Sequence, residues 1–340
     1  MRSNQRPLAL TLGDPAGIGP DITLLAWAAK SREELPPFVL LGAAALLRER
    51  AHTLRLDVPI REVADASEAP GLFQQALPVL PITGLRAVVA GQPDSAAVPV
   101  VRQSIERAVR LVQRGAARAI VTNPVSKSVL YGAGFAFPGH TEYLAHLAAT
   151  DGEAPHPVMM LTSPALSVIP VTVHVPLRDV PRLLTRDLIF ATIEIAARDL
   201  GRYFGLERPC LAVTGLNPHA GEDGSLGSEE TEIVVPAIEA ARAKGLNVSG
   251  PHPADTLFHA AARARYDAAI CMYHDQALAP FKTLAFEDGV NVTLGLPFVR
   301  TSPDHGTAFV IAGTGNASPR SLIEALRLAA AMSDRAEAQR

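Results

Sequence analysis

The feature that most constrains this chain is an alternation of period. Short β-rich apolar runs recur along it: LALTL (8–12), FVLLG (38–42), RAIVT (118–122), PVMML (157–161), LSVIPVTV (166–173), CLAVTG (210–215) and AAICM (268–272). Between them lie longer segments of helical period, among them VVRQSIERAVRLVQR (100–114), RDLIFATIEIAARDLGRYF (186–204) and EETEIVVPAIEAARAKG (229–245). An amphipathic SLIEALRLAAAMSDRAEAQR closes the sequence. Strands that are apolar on both faces need cover on both faces, and intervening helices supply it, so the pattern predicts an α/β fold with a largely parallel sheet. A chain of 340 residues makes one large or two medium domains. The stretch 52–97 reads as loop-rich, and no Ser/Gly linker or charge block marks a boundary.

Composition removes several functions. Hydrophobic residues make up 48% and charged residues 19%, which supports a substantial core and argues against disorder. A net charge of −3 gives no electrostatic case for nucleic acid or an anionic membrane surface. The basic N-terminus is followed by only about five apolar residues before Gly-Asp-Pro, too few for a signal h-region, and no apolar run is long enough to span a bilayer. A soluble cytoplasmic protein is expected. Cys210 and Cys271 each sit in an apolar run and read as buried free thiols, which fits a reducing compartment.

Five segments carry chemistry. TLGDPAGIGPD (11–21) predicts a strand, a glycine-rich turn and a helix starting near Pro20; its spacing is not the dinucleotide fingerprint, and either an anion site or a tight turn satisfies it. In TNPVSKSVLYGAGFAFPGHTEYLA (122–145), Asn123 ends a strand at the edge that holds ligands in α/β sheets. His140 and Thr141 stand at the start of an apolar helix, where an anion is favoured and where capping by Thr141 is the plain alternative. His174, His219 and His274, separated by 45 and 55 residues, each follow a β-rich run. Three imidazoles at the ends of strands of one sheet make a plausible catalytic metal site with open positions. Asp255 is placed to cap a helix beginning at Thr256, and Lys282 lies among apolar neighbours whose burial would tune its proton affinity. Asn291 and Arg300 flank a short apolar strand, and the arginine offers a planar fork to phosphate or carboxylate; a Ser-Pro-Asp-His-Gly turn follows.

The ordered set GDPAGIGPD, NPVSK, FPGHTEYLA, VHVPL, LNPHAGEDG-LG-EE, HPADTLF, YHDQALAPFK and LPFVRTSPDHGTAF resembles the 4-hydroxythreonine-4-phosphate dehydrogenase family of pyridoxine biosynthesis, from about residue 7 to 335. The resemblance implies two intertwined α/β domains around a central cleft, isocitrate/isopropylmalate dehydrogenase-like. The first would span approximately 1–130 plus 300–340 on the cofactor side. The second, approximately 131–299, would carry the metal, substrate and dimer interface. It implies NAD- or NADP-dependent oxidation of the C3 hydroxyl of 4-phosphohydroxy-L-threonine, then decarboxylation to 3-amino-2-oxopropyl phosphate, with a divalent metal such as zinc, magnesium or cobalt. By the same likeness His174, His219 and His274 bind the metal, and His140, Thr141, Lys282, Asn291 and Arg300 bind the substrate. Lys282 and Asp255 are then catalytic, and Asp14, Gly17 and His305 face the cofactor. A homodimer sharing each metal site is implied. Val310 stands where related dehydrogenases usually carry an acidic residue, which bears on cofactor preference. Sibling activities on 4-phospho-D-threonate or erythronate, or on dihydrodiol dicarboxylates, share this chemistry. A phosphate acyltransferase-like enzyme is the alternative from another class.

Overall fold

In the computed structural model, which describes residues 6–134, 137, 139–150 and 152–339, the chain forms two compact units: Met1–Pro157 with Leu296–Ala338, and Val158–Gly295. The strands are β1 (Leu8–Thr11), β2 (Phe38–Gly42), β3 (Ile60–Glu62), β4 (Leu77–Pro81), β5 (Ile120–Val121), β6 (Val158–Thr162), β7 (Ser167–Pro170), β8 (Leu211–Thr214), β9 (Val248–His252), β10 (Ala268–Cys271), β11 (Val290–Leu294) and β12 (Arg300–Pro303). In the first unit the order is β3-β4-β2-β1-β5-β12, parallel throughout. In the second it is β11-β6-β7-β10-β8-β9. There β6 runs antiparallel to β11 and β7, while the strands from β7 to β9 are parallel.

Two strands, β3 and β4, lie in the stretch that the sequence reads as loop-rich. The prolines of LPVLP suggest punctuation, yet β4 is mostly buried and paired on both sides. Pro78 and Pro81 fall next to and at its ends, where a strand tolerates a missing N–H. The sequence also predicts a strand between Asn291 and Arg300. Instead Asn291 lies inside β11 and Arg300 opens β12, so the apolar residues between them form the connection.

The first unit is built around β1 and β2, buried at every position. Helix Val98–Gln113 presents Val101, Ile105, Ala108 and Val109 to them at the spacing of one helix face. Ser104 on that face ties three elements together, donating to Leu41 O at 2.7 Å and accepting from Leu12 N at 2.9 Å. Helix Arg320–Ala338 buries Leu322, Leu326 and Ala329, and its Ala325 carbonyl accepts from Thr301 Oγ1 at 2.8 Å.

In the second unit helix Arg186–Phe204 has the bounds its sequence predicts. Thr185 caps it by accepting from Leu188 N at 3.1 Å, and Gly205 ends it at φ 74°. Phe281, fully buried, packs with Leu161, Val168 and Ala269 in this unit's core. The helix expected from residue 229 opens as a π-helical turn, Glu230–Val234, and becomes α-helical at Val235. Both cysteines are free, but only Cys271 is buried; Cys210 is half-buried at the entry to β8, its Sγ 3.2 Å from Arg265 O. Among the described residues no helix is long and apolar enough to cross a membrane.

Candidate functional site

Because β7, β10 and β8 are adjacent and parallel, their C-terminal ends open on one edge of the sheet, the edge where α/β sheets hold ligands. His174, His274 and His219 follow those three ends in turn. Pairing between β7 and β10 continues past the strands. Val171 N donates to Cys271 O at 2.8 Å, and Thr172 donates to Met272 O through its amide at 3.3 Å and its hydroxyl at 2.8 Å. That extension brings the rings of His174 and His274 to 5.4 Å between centroids. Both line a cavity of about 200 Å³ with Thr172, Val175, Tyr273 and Asp275. His274 opens helix His274–Leu284, and its Nδ1 lies 2.7 Å from Asp275 Oδ1. Gln276 fastens β8 to β10 beneath them. It accepts from Thr214 Oγ1 at 2.8 Å and Met272 N at 2.7 Å, and donates to Gly215 O at 2.8 Å.

His219 reaches this edge by a different device. Residues 219–223 all take left-handed backbone, with φ of 53°, 54°, 82°, 43° and 55°. For the four that are not glycine this costs roughly 1–2 kcal/mol each, so the turn has to be held. The buried Glu230, 3% exposed, holds its entry. Its Oε1 accepts from Leu216 N and Asn217 N at 2.7 Å each, and its Oε2 accepts from Asn217 Nδ2 at 3.0 Å. A Cβ on Gly221 would stand 2.6 Å from Glu230 Oε2, so glycine is required there. The His219 side chain is 59% exposed, with Nδ1 2.5 Å from Glu222 Oε1. A carboxylate on Nδ1 favours the tautomer whose Nε2 lone pair is available to a ligand. Within the chain, and among the described residues, no group of three His, Cys, Asp or Glu side chains is gathered that could hold a metal ion. His174 and His274 meet; His219 stands apart from them.

Lys282 lies on the helix that His274 opens, about 12 Å further along its axis. It is half-buried, and its Nζ is 5.4 Å from the centre of the Phe286 ring, a cation–π distance. Asp255 is exposed inside the short turn Ala254–Thr256. No helix begins at Thr256, so the expected cap is absent; the next helix starts at Ala260. Asn291 is half-buried in β11, opposite Leu161.

His140, Thr141 and Arg300 belong to the first unit. Helix His140–Leu147 has Gly139 as N-cap without a side-chain hydrogen bond, so Thr141 sits in the first turn rather than capping it. Tyr143 anchors this helix by donating to Glu106 at 2.7 Å. The Nε2 of His140 is buried with no hydrogen-bond partner. Burial, then the charges of Arg300 and Lys127, hold its imidazole well below the usual range, so it is neutral at pH 7. Arg300 is buried and donates from Nη2 to Thr122 Oγ1 at 2.7 Å. Burial pushes its guanidinium down to about 10, which leaves it charged at neutral pH. A charged buried arginine within electrostatic reach of an unsatisfied imidazole at a helix start suits an anion.

The glycine-rich turn is not an open cradle. Asp14 N donates to Pro124 O at 2.8 Å, Ala16 N to Asp14 Oδ1 at 3.0 Å, Gly17 N to Asp14 O at 3.0 Å and Ile18 N to Thr307 O at 3.0 Å. Those amides are spent internally, which favours the tight-turn reading. Burial raises the Asp14 carboxyl, against the lowering by the Ala16 amide. A Cβ on Gly17 would meet Thr307 O at 2.9 Å, so this turn packs directly on the segment carrying His305, whose Nδ1 is 3.1 Å from Gly306 O. Arg50 clamps the turn: it pairs with Asp21 and donates to Gly17 O and Pro15 O, both at 3.1 Å. Asp21 also accepts from Gly313 N at 2.6 Å. Asn123 is likewise structural, donating to Thr11 O at 3.0 Å and Thr23 Oγ1 at 2.8 Å. Val310, in the turn Phe309–Ile311, is 94% exposed.

Sequence reasoning misses Thr122, Glu230, Gln276 and Arg50. Glu230 closes the LNPHAGEDG-LG-EE stretch, and Thr122 and Gln276 fall in TNPVSK and MYHDQ, but nothing local gives them a role; Arg50 carries no local signal.

A family model described as pyridoxal phosphate biosynthetic protein PdxA matches residues 33–329. The chain is 58% identical over 335 residues to a 4-hydroxythreonine-4-phosphate dehydrogenase of Bradyrhizobium diazoefficiens, covering 96% of this chain and 97% of that protein. A crystal structure of 4-hydroxythreonine-4-phosphate dehydrogenase from Klebsiella pneumoniae superposes with a TM-score of 0.84 at 40% identity, covering 96% of this chain and 99% of that one. A terephthalate 1,2-cis-dihydrodiol dehydrogenase from Burkholderia xenovorans gives a TM-score of 0.64 at 28% identity, covering 96% and 98%.

Proposed function

The chain belongs to the family of the pyridoxal phosphate biosynthetic protein PdxA, and on that premise we propose that it oxidises the C3 hydroxyl of 4-phosphohydroxy-L-threonine with NAD or NADP, and that decarboxylation to 3-amino-2-oxopropyl phosphate follows. The near-full-length identity to the Bradyrhizobium enzyme is the observation that carries this reading. Arg300, His140 and Thr141 take the anionic end of the substrate. The orphaned His140 Nε2 and the charged Arg300 are the groups in the first unit best suited to phosphate. Asn291 and Lys282 orient the remainder, and Lys282, assisted by Asp255, moves the hydroxyl proton. Asp14, Gly17 and His305 lie on the cofactor side, Asp14 and Gly17 as the closed turn that backs the segment carrying His305.

His174, His219 and His274 would hold a divalent ion such as zinc, magnesium or cobalt. Three imidazoles, two of them with Nδ1 engaged by Glu222 and Asp275, are a suitable donor set. Such an ion, when bound, lowers the pKa of a hydroxyl and polarises a carbonyl. Because His219 stands apart from its two counterparts in one chain, the third ligand is assigned to a second copy. Leu177, Leu226, Leu284 and Phe286, exposed on the segments next to His174, His219 and Lys282, support such a homodimer.

The test offers 4-phosphohydroxy-L-threonine and 4-phospho-D-erythronate side by side with NAD and with NADP, with and without EDTA, following formation of reduced nicotinamide. Turnover of the amino substrate, abolished by EDTA, is expected. Turnover of the sugar acid alone would overturn the substrate assignment, and EDTA-insensitive turnover would overturn the metal.

A further inference from the structure

We infer that Glu230 is a positioning residue whose buried carboxylate sets the left-handed turn that presents His219 to a divalent cation. The inference rests on the reading of His219 as a metal ligand. Three N–H groups converge on this carboxylate, all from Leu216 and Asn217, the two residues that lead into the turn. The neighbouring Glu229 takes the other Asn217 Nδ2 contact, at 2.8 Å. Glycines line the carboxylate on both sides: a Cβ would meet it at 3.0 Å from Gly215 and at 2.6 Å from Gly221. The helix that carries Glu230 is widened to a π turn where this side chain enters.

The His219 ring itself is exposed, and its contact with Glu222 lies within the turn. Its direction therefore follows from how the turn is held at its base. A glutamine at position 230 has one acceptor oxygen, and its amide would face the Asn217 amide, donor against donor. The turn would lose an anchor without loss of core packing. Outer partners of this kind change metal affinity by about 10–100-fold when removed.

The test is zinc titration by calorimetry of the full-length chain stripped with EDTA, comparing wild type, Glu230→Gln, His219→Ala and Asp199→Asn. Asp199 is an equally buried carboxylate in the same unit, accepting from Gly295 N at 2.6 Å, and serves as a control for lost stability. Glu230→Gln is expected to weaken zinc binding by about 10–100-fold, with faster hydrogen exchange at the Leu216 and Asn217 amides, while Asp199→Asn binds zinc as wild type does. Weak binding in His219→Ala but wild-type affinity in Glu230→Gln overturns the proposal alone, as does an equal loss in Asp199→Asn. Wild-type affinity in His219→Ala removes the three-histidine reading, and the proposal with it. Should Glu230→Gln fail to fold, Asn217→Ala removes the Nδ2 contacts from a half-buried position; a smaller loss of zinc affinity supports the proposal and none overturns it.

Discussion

Removing the Arg50 guanidinium isolates the clamp beneath the glycine-rich turn. The Asp21 side chain is 0% exposed and that of Arg50 4%. Arg50→Met keeps most of the side-chain volume, but it leaves a buried carboxylate with the Gly313 amide at 2.6 Å and strips donors from Gly17 O and Pro15 O. Breaking a buried pair from one side costs about 3–5 kcal/mol. For a unit of this size that corresponds to a fall in melting temperature of roughly 6–20 °C. Calorimetric unfolding is the assay, read on the transition of the first unit if the two separate. Adding Asp21→Asn removes the charge while keeping an acceptor for Gly313 N, and should recover about 2 kcal/mol of the loss. A single variant within about 1 kcal/mol of wild type, or a double variant no more stable than the single, would refute the claim that a dry ion pair holds this turn.

Phe281→Ala should cost the second unit about 3–5 kcal/mol in urea unfolding, since Phe281 is wholly enclosed by the core of that unit. Gln276→Ala strips the Met272 amide and the Gly215 carbonyl of this partner and leaves the Thr214 hydroxyl only its 3.4 Å contact with Ile270 O; a loss of about 1–3 kcal/mol is expected, with the largest rise in hydrogen exchange at the Met272 amide. For His140 the folded-state pKa is depressed below 6.5. The unfolded chain therefore takes up the proton first as pH falls, and the stability contributed by the neutral ring is complete above 6.5 and lost as pH drops toward the folded value. An NMR titration should show the His140 ring neutral at pH 6, and His140→Gln should flatten the stability profile below 6.5.

Where local chemistry and tertiary role coincide, the sequence is legible. Helix Arg186–Phe204 starts on a threonine cap and ends on a left-handed glycine, and β2 is five apolar residues that are all buried. Strand β9, VSGPH, has no place among the β-rich runs of the sequence; its pairing with β8, with a register shift, makes it a strand. The three histidines are legible as strand-end residues, and the adjacency of β7, β10 and β8 gives their spacing a geometric basis. What is not legible is the left-handed path from His219 to Asp223: His and Asp enter positive φ more readily than most residues, but Ala220 and Glu222 have no such tendency, and nothing local marks a run of five. It is held by Glu230, 13 residues beyond Asn217, and only folding brings the two together. Thr141 and Asp255 show the reverse error: both fit the rule for a cap, and neither caps a helix.

The first unit is interrupted in sequence, and that has a consequence for its birth on the ribosome. Thr122 and Arg300, hydrogen-bonded in the finished unit, are 178 residues apart. At elongation rates of about 5–20 residues per second the partner of β5 emerges on the order of 10–40 s after β5 itself. For that interval β5 is an apolar parallel edge with no neighbour on one side, while the second unit, continuous in sequence, emerges and is complete just before β12 appears. The middle of the chain is thus free to finish before its beginning, and the first unit is the one exposed to mispairing during synthesis.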